Sequence, residues 1–168
     1  MSNHILIEKQ ISKFNKKIFV SSDKSISIRT VLLASQAVGI SKISNLLESE
    51  DVLNALKTIK KLGINYRKKA NTYIIEGFGL NGFDTQNKVT IDAGNSGTLA
   101  RLILGLLVRS KKKVKLIGDK SLSKRDFSRV INPLRKFGAN IKSKKNLLPI
   151  EILGSEFLRP ITYDRSER

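Results

Sequence analysis

Asp51-Val52-Leu53-Asn54-Ala55-Leu56-Lys57-Thr58-Ile59-Lys60-Lys61-Leu62-Gly63-Ile64-Asn65 superimposes without a gap on Asp126-Phe127-Ser128-Arg129-Val130-Ile131-Asn132-Pro133-Leu134-Arg135-Lys136-Phe137-Gly138-Ala139-Asn140. The aspartate, one lysine, the glycine and the asparagine coincide. Val52, Ala55, Leu56, Ile59 and Leu62 fall on Phe127, Val130, Ile131, Leu134 and Phe137, at the spacing of one helical face. Each segment therefore predicts a helix with a single buried stripe. Asp51 and Asp126 suit a helix start, where a carboxylate accepts from unpaired N–H groups. Gly63 and Gly138 suit the left-handed position that ends a helix.

The repeat extends in both directions. Upstream, Val89-Thr90-Ile91 reads as a short strand, Asp92-Ala93-Gly94-Asn95-Ser96-Gly97-Thr98 as a turn, and Leu99 to Val108 as an apolar helix carrying Arg101. Ile18-Phe19-Val20, the following polar octet and Thr30 to Val38 read the same way, with Arg29 set on Arg101, Asp23 on Asn95, Ser25 on Gly97 and Val20 on Asp92. Downstream of each glycine comes a hairpin: Ile64 to Arg67 with Thr72 to Glu76, and Ala139 to Lys142 with Leu147 to Ile152. Their turns, Lys68-Lys69-Ala70-Asn71 and Ser143-Lys144-Lys145-Asn146, are basic and end in asparagine, which tolerates turn geometry. The unit is βαβαββ, present twice over roughly Lys17 to Asn87 and Lys88 to Phe157. The fold class is α/β (α+β). Such a period is too long for the common solenoids, so compact repeats sharing a core about an approximate symmetry axis are expected.

Composition narrows the chemistry. The 168 residues are 40% hydrophobic, enough for a core, but aromatics are only 6% and tryptophan is absent, so Ile, Leu and Val must build it. With no cysteine there is no disulfide, no thiolate metal site and no cysteine nucleophile, and the lone His4 cannot make a metal cluster. No metal and no cofactor are expected. The N-terminus lacks the apolar segment of a signal peptide, and no stretch approaches the roughly 18 apolar residues of a membrane span. The reading is a soluble cytoplasmic protein.

The net charge is +18, from 32 Lys and Arg against 14 Asp and Glu. A surplus of that size can mark a nucleic-acid binder. Here the cations are spread through turns and exposed faces, as in Lys60-Lys61, Lys111-Lys112-Lys113 and Lys144-Lys145, with no aromatic platform beside them. That pattern argues for a solvated surface that attracts small polyanions, an attraction screened beyond about 8 Å at physiological ionic strength. A basic βα-repeat module for nucleic acid stands as the non-enzyme alternative.

The octet Ser22-Asp23-Lys24-Ser25-Ile26-Ser27-Ile28-Arg29 gathers a lysine, hydroxyls and an arginine at the start of an apolar helix. A helix start presents unpaired N–H groups and the positive end of the helix dipole, so an anion is favoured there. Lys24 adds a point charge, Ser25 and Ser27 add donors, and Arg29, one turn on from Ser25, can grip a phosphate or carboxylate through two parallel bonds.

This octet resembles the shikimate-phosphate motif of the 5-enolpyruvylshikimate-3-phosphate (EPSP) synthase family. Asn45-Leu46-Leu47-Glu48-Ser49-Glu50-Asp51-Val52 is similar to that family's segment ahead of its next helix. Gly94-Asn95-Ser96-Gly97-Thr98, followed by Arg101, resembles its phosphoenolpyruvate loop. Gly118-Asp119-Lys120-Ser121-Leu122-Ser123-Lys124-Arg125 resembles its second arginine motif, and Pro133-Leu134-Arg135-Lys136-Phe137-Gly138-Ala139 the helix end after it. The sibling family of UDP-N-acetylglucosamine enolpyruvyl transferases shares fold and chemistry, but its cysteine-bearing loop has no counterpart here.

The resemblance implies the enolpyruvyl transferase fold, an inside-out α/β barrel-like domain of βαβαββ units, here incomplete. Residues 1–16 would be an opening strand of the other domain, roughly His4 to Glu8. Residues 17–157 would form two units of the shikimate-phosphate domain, and 158–168 the start of a third. The implied reaction is 3-phosphoshikimate 1-carboxyvinyl transfer in aromatic amino acid biosynthesis, by a protein that is monomeric as family members usually are. Lys24 would act in catalysis and touch both substrates, with Ser25 and Arg29 on shikimate 3-phosphate and Gly97 and Arg125 on phosphoenolpyruvate. Asn95 and Thr98 are weaker candidates. Arg101 is read instead as a helix arginine pairing with a neighbouring acid, and Asp92, Asp119 and Asp126 as caps of turns and helices. Family members commonly have proline where this chain has Asp126, whose charge is expected to offset part of that of Arg125. The family's general acid and base come from the other domain, so a chain of this extent is expected to be inactive alone.

Overall fold

The computed structural model describes residues 15, 18, 20–83 and 88–164. The expected opening strand at His4 to Glu8 lies outside the described residues. The second unit has the anticipated order: β4 (Val89–Asp92), α3 (Gly97–Leu106), β5 (Val114–Ile117), α4 (Ser128–Phe137), then the hairpin β6 (Asn140–Ser143) and β7 (Ile150–Leu153). The first unit runs α1 (Lys24–Gln36), β1 (Val38–Ser44), α2 (Glu50–Lys61), then the hairpin β2 (Tyr66–Lys69) and β3 (Thr72–Phe78). Ile18 and Val20, expected in a strand ahead of α1, are irregular and exposed; Phe19 lies outside the described residues.

The repeat survives in three dimensions. One sheet has the order β1-β3-β2 and the other β4-β5-β7-β6, so β5-β7-β6 reproduces the first sheet and β4 extends it. β4 and β5 are parallel, with Val89 opposite Val114 and Asp92 opposite Ile117, while every other pairing is antiparallel. Parallel neighbours need a crossover, and α3 supplies it. This register brings the end of β4, with the turn that follows, beside the turn after β5: Ala93 N–H donates to Ile117 O at 2.9 Å and Asp119 N–H to Gly94 O at 2.9 Å.

The helical stripe read from the repeat is the core. Val52, Ala55, Leu56, Ile59 and Leu62 are buried, as are Phe127 and Ile131, whereas Val130, Leu134 and Phe137 are only partly so. They pack with Ile28, Val31 and Leu32 of α1, Leu99, Ile103 and Leu104 of α3, and Ile75, Leu116, Ile150 and Ile152 from the sheets. Each such side chain contributes about 1.5–3 kcal/mol by leaving water. Gly63 at φ 89° and Gly138 at φ 112° take the left-handed position at their helix ends. α4 begins two residues later than Asp126, because the Asp126 carboxylate accepts from the Ser128 N–H at 3.1 Å and so fixes the turn before the helix.

The first hairpin differs from its expected form. Lys68 and Lys69 continue β2 rather than forming the turn, and the left-handed residue is Ala70, at φ 49°, not Asn71. β2 is the edge of its sheet, where solvated lysines are well accommodated. In the second hairpin Lys145 and Asn146 take the left-handed form, as the asparagine suggests.

Candidate functional site

The start of α1 is capped by Asp23, whose Oδ1 accepts from the Ile26 N–H at 2.7 Å and whose carbonyl accepts from that of Ser27 at 3.0 Å. The N–H groups of Lys24 and Ser25 belong to the open end of the helix. Lys24 Nζ lies 2.9 Å from Asp51 Oδ2 in the first turn of α2. Arg29 is exposed and donates from Nη1 to Ser25 O at 3.0 Å, so its guanidinium runs back along the first turn. Ser27 departs from the sequence reading. It is 4% exposed and its Oγ accepts from the Leu47 N–H at 3.2 Å, because position 27 falls on the buried face with Val31 and Ala34. It ties α1 to the approach of α2 instead of facing solvent.

The start of α3 is built differently. Asp92 Oδ1 accepts from the Gly94 N–H at 2.8 Å, closing the turn after β4. Gly94 has φ +56°, and a Cβ there would stand 2.6 Å from Asn54 Nδ2, so the turn lies against α2. Ser96 caps the helix by accepting from the Leu99 N–H at 3.3 Å. Gly97 is the first helical residue. A Cβ on it would meet Arg101 Nη1 at 2.7 Å and Arg125 Nη1 at 3.1 Å, so two guanidinium groups lean over bare backbone. Thr98 follows in the first turn, half-buried.

Arg101 donates from Nη1 to Gly97 O at 3.2 Å, repeating the bond between Arg29 and Ser25, while the caps Asp23 and Ser96 fall one residue out of the register that set Asp23 on Asn95. Its Nη2 donates to Asp126 O at 3.4 Å, and its guanidinium lies 5.0 Å from the centre of the Phe127 ring. Arg101 thus neighbours the acid Asp126, whose pKa it helps Ser128 to lower, while its hydrogen bonds go to two carbonyls and its guanidinium faces an aromatic ring. Asp126 does not spend its carboxylate on Arg125. Ser128 donates to it through both N–H and hydroxyl and holds its pKa below the usual carboxylate range.

Arg125 follows a short 3-10 turn, Leu122–Lys124, and is exposed. Its Nη2 donates to Asn95 Oδ1 at 3.2 Å, and Asn95 Nδ2 donates to Asp119 Oδ2 at 2.6 Å. Asp119 Oδ1 also accepts from the Leu122 N–H at 2.6 Å, and these bonds, that of Leu122 first, hold its pKa below the ordinary value. The structure therefore brings Gly97, Asn95 and Arg125 into direct contact, and places Lys24 on Asp51 and Arg29 on Ser25. The two groups are linked along one rim through the opening turns of α2, where Asp51 meets Lys24 and Asn54 meets the Gly94 turn. Asp119 was legible as a cap, whereas Asp51, expected at the helix start, lies inside the first turn behind the N-cap Ser49; their contacts with Asn95 and Lys24 had no signal in the spacing. Among the described residues no cluster of acidic or histidine side chains suits a metal ion.

Residues 8–166 match the family model of EPSP synthase (3-phosphoshikimate 1-carboxyvinyltransferase). The chain belongs to the EPSP synthase family. Among its relatives is the 3-phosphoshikimate 1-carboxyvinyltransferase of Vesicomyosocius okutanii subsp. Calyptogena okutanii (strain HA), 46% identical over 145 residues, covering 86% of this chain and 33% of that protein. The corresponding protein of Streptococcus pyogenes serotype M2 (strain MGAS10270) is 40% identical over 148 residues, covering 87% and 34%. An EPSP synthase structure from Acinetobacter baumannii superimposes with a TM-score of 0.80 at 34% identity, over 88% of this chain and 34% of that one. The chain thus spans about a third of the length of its EPSP synthase relatives. The EPSP synthase match takes in both units and every residue of the rim described above.

Proposed function

We propose that this chain forms one wall of the substrate site of a 3-phosphoshikimate 1-carboxyvinyltransferase, which moves the enolpyruvyl group of phosphoenolpyruvate to the 5-hydroxyl of shikimate 3-phosphate and releases phosphate. The observation that carries the reading is Arg125 leaning over Gly97, with Nη1 3.1 Å from where a Cβ would sit. A phosphate placed there would meet the guanidinium groups of Arg125 and Arg101, a capped helix start and the positive end of its dipole, with Gly97 adding no side chain of its own. Gly97 and Arg125 are the phosphoenolpyruvate contacts in this reading, with Asn95 and Thr98 at the margin. Ser25 and Arg29 hold shikimate 3-phosphate at the start of α1. Lys24, steered by Asp51, faces both substrates and offsets charge as the ester oxygens approach each other.

In the same reading residues 17–157 are two units of the shikimate-phosphate domain, residues 1–16 belong to the other domain and 158–168 open a third unit. The protein works as a cytoplasmic monomer. No helix among the described residues is long and apolar enough to cross a membrane. The groups that move protons during addition and elimination come from outside these two units, and closing the site against water needs a second wall, so the two units bind substrate and turnover needs the rest of the site.

Isothermal titration of the chain with shikimate 3-phosphate at low salt tests the reading. Saturable binding that falls about tenfold or more in Lys24→Ala is expected, since a charge-assisted bond is worth roughly 1.5–3 kcal/mol. Absence of any response to shikimate 3-phosphate, with tight binding of RNA instead, would contradict it.

A further inference from the structure

The carboxylate of Asp119 faces an amide, and the amide faces the cation. Asn95 Nδ2 donates to Asp119 Oδ2 at 2.6 Å, and on its other side Asn95 Oδ1 accepts from Arg125 Nη2 at 3.2 Å. An ionised carboxylate can only accept, so it can be faced only by the NH2 end of the asparagine. The oxygen end is thereby turned towards Arg125. Were the amide reversed, its oxygen would oppose a carboxylate oxygen and its NH2 would oppose a guanidinium, with both contacts repulsive. We infer that Asp119 is a positioning residue for Arg125, acting through the side-chain amide of Asn95 to hold the guanidinium over Gly97. The inference rests on reading that helix start as the phosphate-binding position.

The anchor of this relay is itself fixed. Asp119 accepts from the Leu122 N–H at 2.6 Å with its other oxygen, its own N–H donates to Gly94 O at 2.9 Å, and its carbonyl accepts from the Ser123 N–H at 2.9 Å. Three of these partners belong to the turn that ends in Arg125 or to the loop that carries Asn95. Asp119 therefore joins the Asn95 loop to the Arg125 turn, its main chain bonding Gly94 and Ser123 and its carboxylate bonding Asn95 and Leu122. Arg125, Asn95 and Asp119 are all exposed, so packing alone does not fix the guanidinium. A long, solvated arginine samples many rotamers unless a directional bond holds it.

The test compares wild type, Asp119→Asn, Asp119→Glu and Asn95→Ala by NMR and by titration with phosphoenolpyruvate. In Asp119→Asn the Asn95 side-chain NH2 signals should move towards those of a free amide and the Arg125 Nε–H signal should shift. Phosphoenolpyruvate affinity should fall by roughly ten- to a hundredfold, as a displaced contact group requires. Asp119→Glu, which keeps the charge, should restore part of both. Asn95→Ala leaves the Leu122 bond intact, so it should release Arg125 at unchanged thermal stability. Unaltered Asn95 and Arg125 signals in Asp119→Asn would overturn the inference, whatever happens to its melting temperature. If wild type itself does not bind phosphoenolpyruvate, the functional reading fails, and the two NMR signals alone still decide the relay.

Discussion

Lys24 Nζ and Asp51 Oδ2 lie 2.9 Å apart and join the first turn of α1 to the first turn of α2. The lysine side chain is 51% exposed, so the pair adds less than about 1 kcal/mol to stability. Its value lies in aiming the ammonium. Asp51→Asn should therefore shift the urea midpoint only slightly while weakening shikimate 3-phosphate binding. A large loss of stability with affinity unchanged would show that the pair serves the fold instead.

Gly97→Ala separates packing from binding. The added methyl meets Arg101 Nη1 at 2.7 Å and Arg125 Nη1 at 3.1 Å, the far ends of two flexible side chains. Those ends can swing away, and alanine favours a helix by up to about 1 kcal/mol over glycine. The melting temperature should stay level or rise, while phosphoenolpyruvate affinity falls because Arg125 is displaced. Calorimetry and titration on the same sample give both readings.

Gly77→Ala should behave in the opposite way. A Cβ at this β3 position would lie 2.4 Å from both Ala34 O and Ala37 O, backbone atoms at the end of α1 that have no side chain to rotate aside. Overpacking of this kind costs about 1–3 kcal/mol, and a clash with backbone belongs at the upper end. Urea unfolding should show a lower midpoint with unchanged slope.

Acid should loosen the rim. Asp119 and Asp126 both titrate below the usual carboxylate value, Asp119 through Leu122 and Asn95, Asp126 through Ser128. A depressed folded pKa contributes stability that is fully present above the unfolded value, about 3.9, and is lost as pH falls through the folded value. Thermal midpoints should hold down to about pH 4 and then decline, and Asp126→Asn should make that acid decline shallower. An unchanged decline in that variant would remove Asp126 from the account.

Much of this was legible in the sequence because the chain contains its own comparison. The match between Asp51 to Asn65 and Asp126 to Asn140 located two helices, their buried stripes and the glycines that end them. The alignment of Arg29 with Arg101 paired two residues that both bond the carbonyl four residues back, a bond the sequence reading did not anticipate. Contacts that cross between loops were not legible. Ser27 looked like a free hydroxyl until Leu47 was brought to it, and Arg101, beside the acid Asp126, also bonds carbonyls and faces Phe127. The same limit hid Asp119, which reads as a turn cap and is one, while its second oxygen reaches Asn95. Spacing along the chain reports which face a residue occupies; it does not report what another loop sets against it.

The most direct measurement is the backbone amide spectrum of the chain as phosphoenolpyruvate is added at low salt. The Gly97 and Thr98 amides and the Arg125 side chain should shift together along one saturating curve. Shifts confined to the lysine turns around Lys68 and Lys145, with Gly97 unmoved, would contradict it.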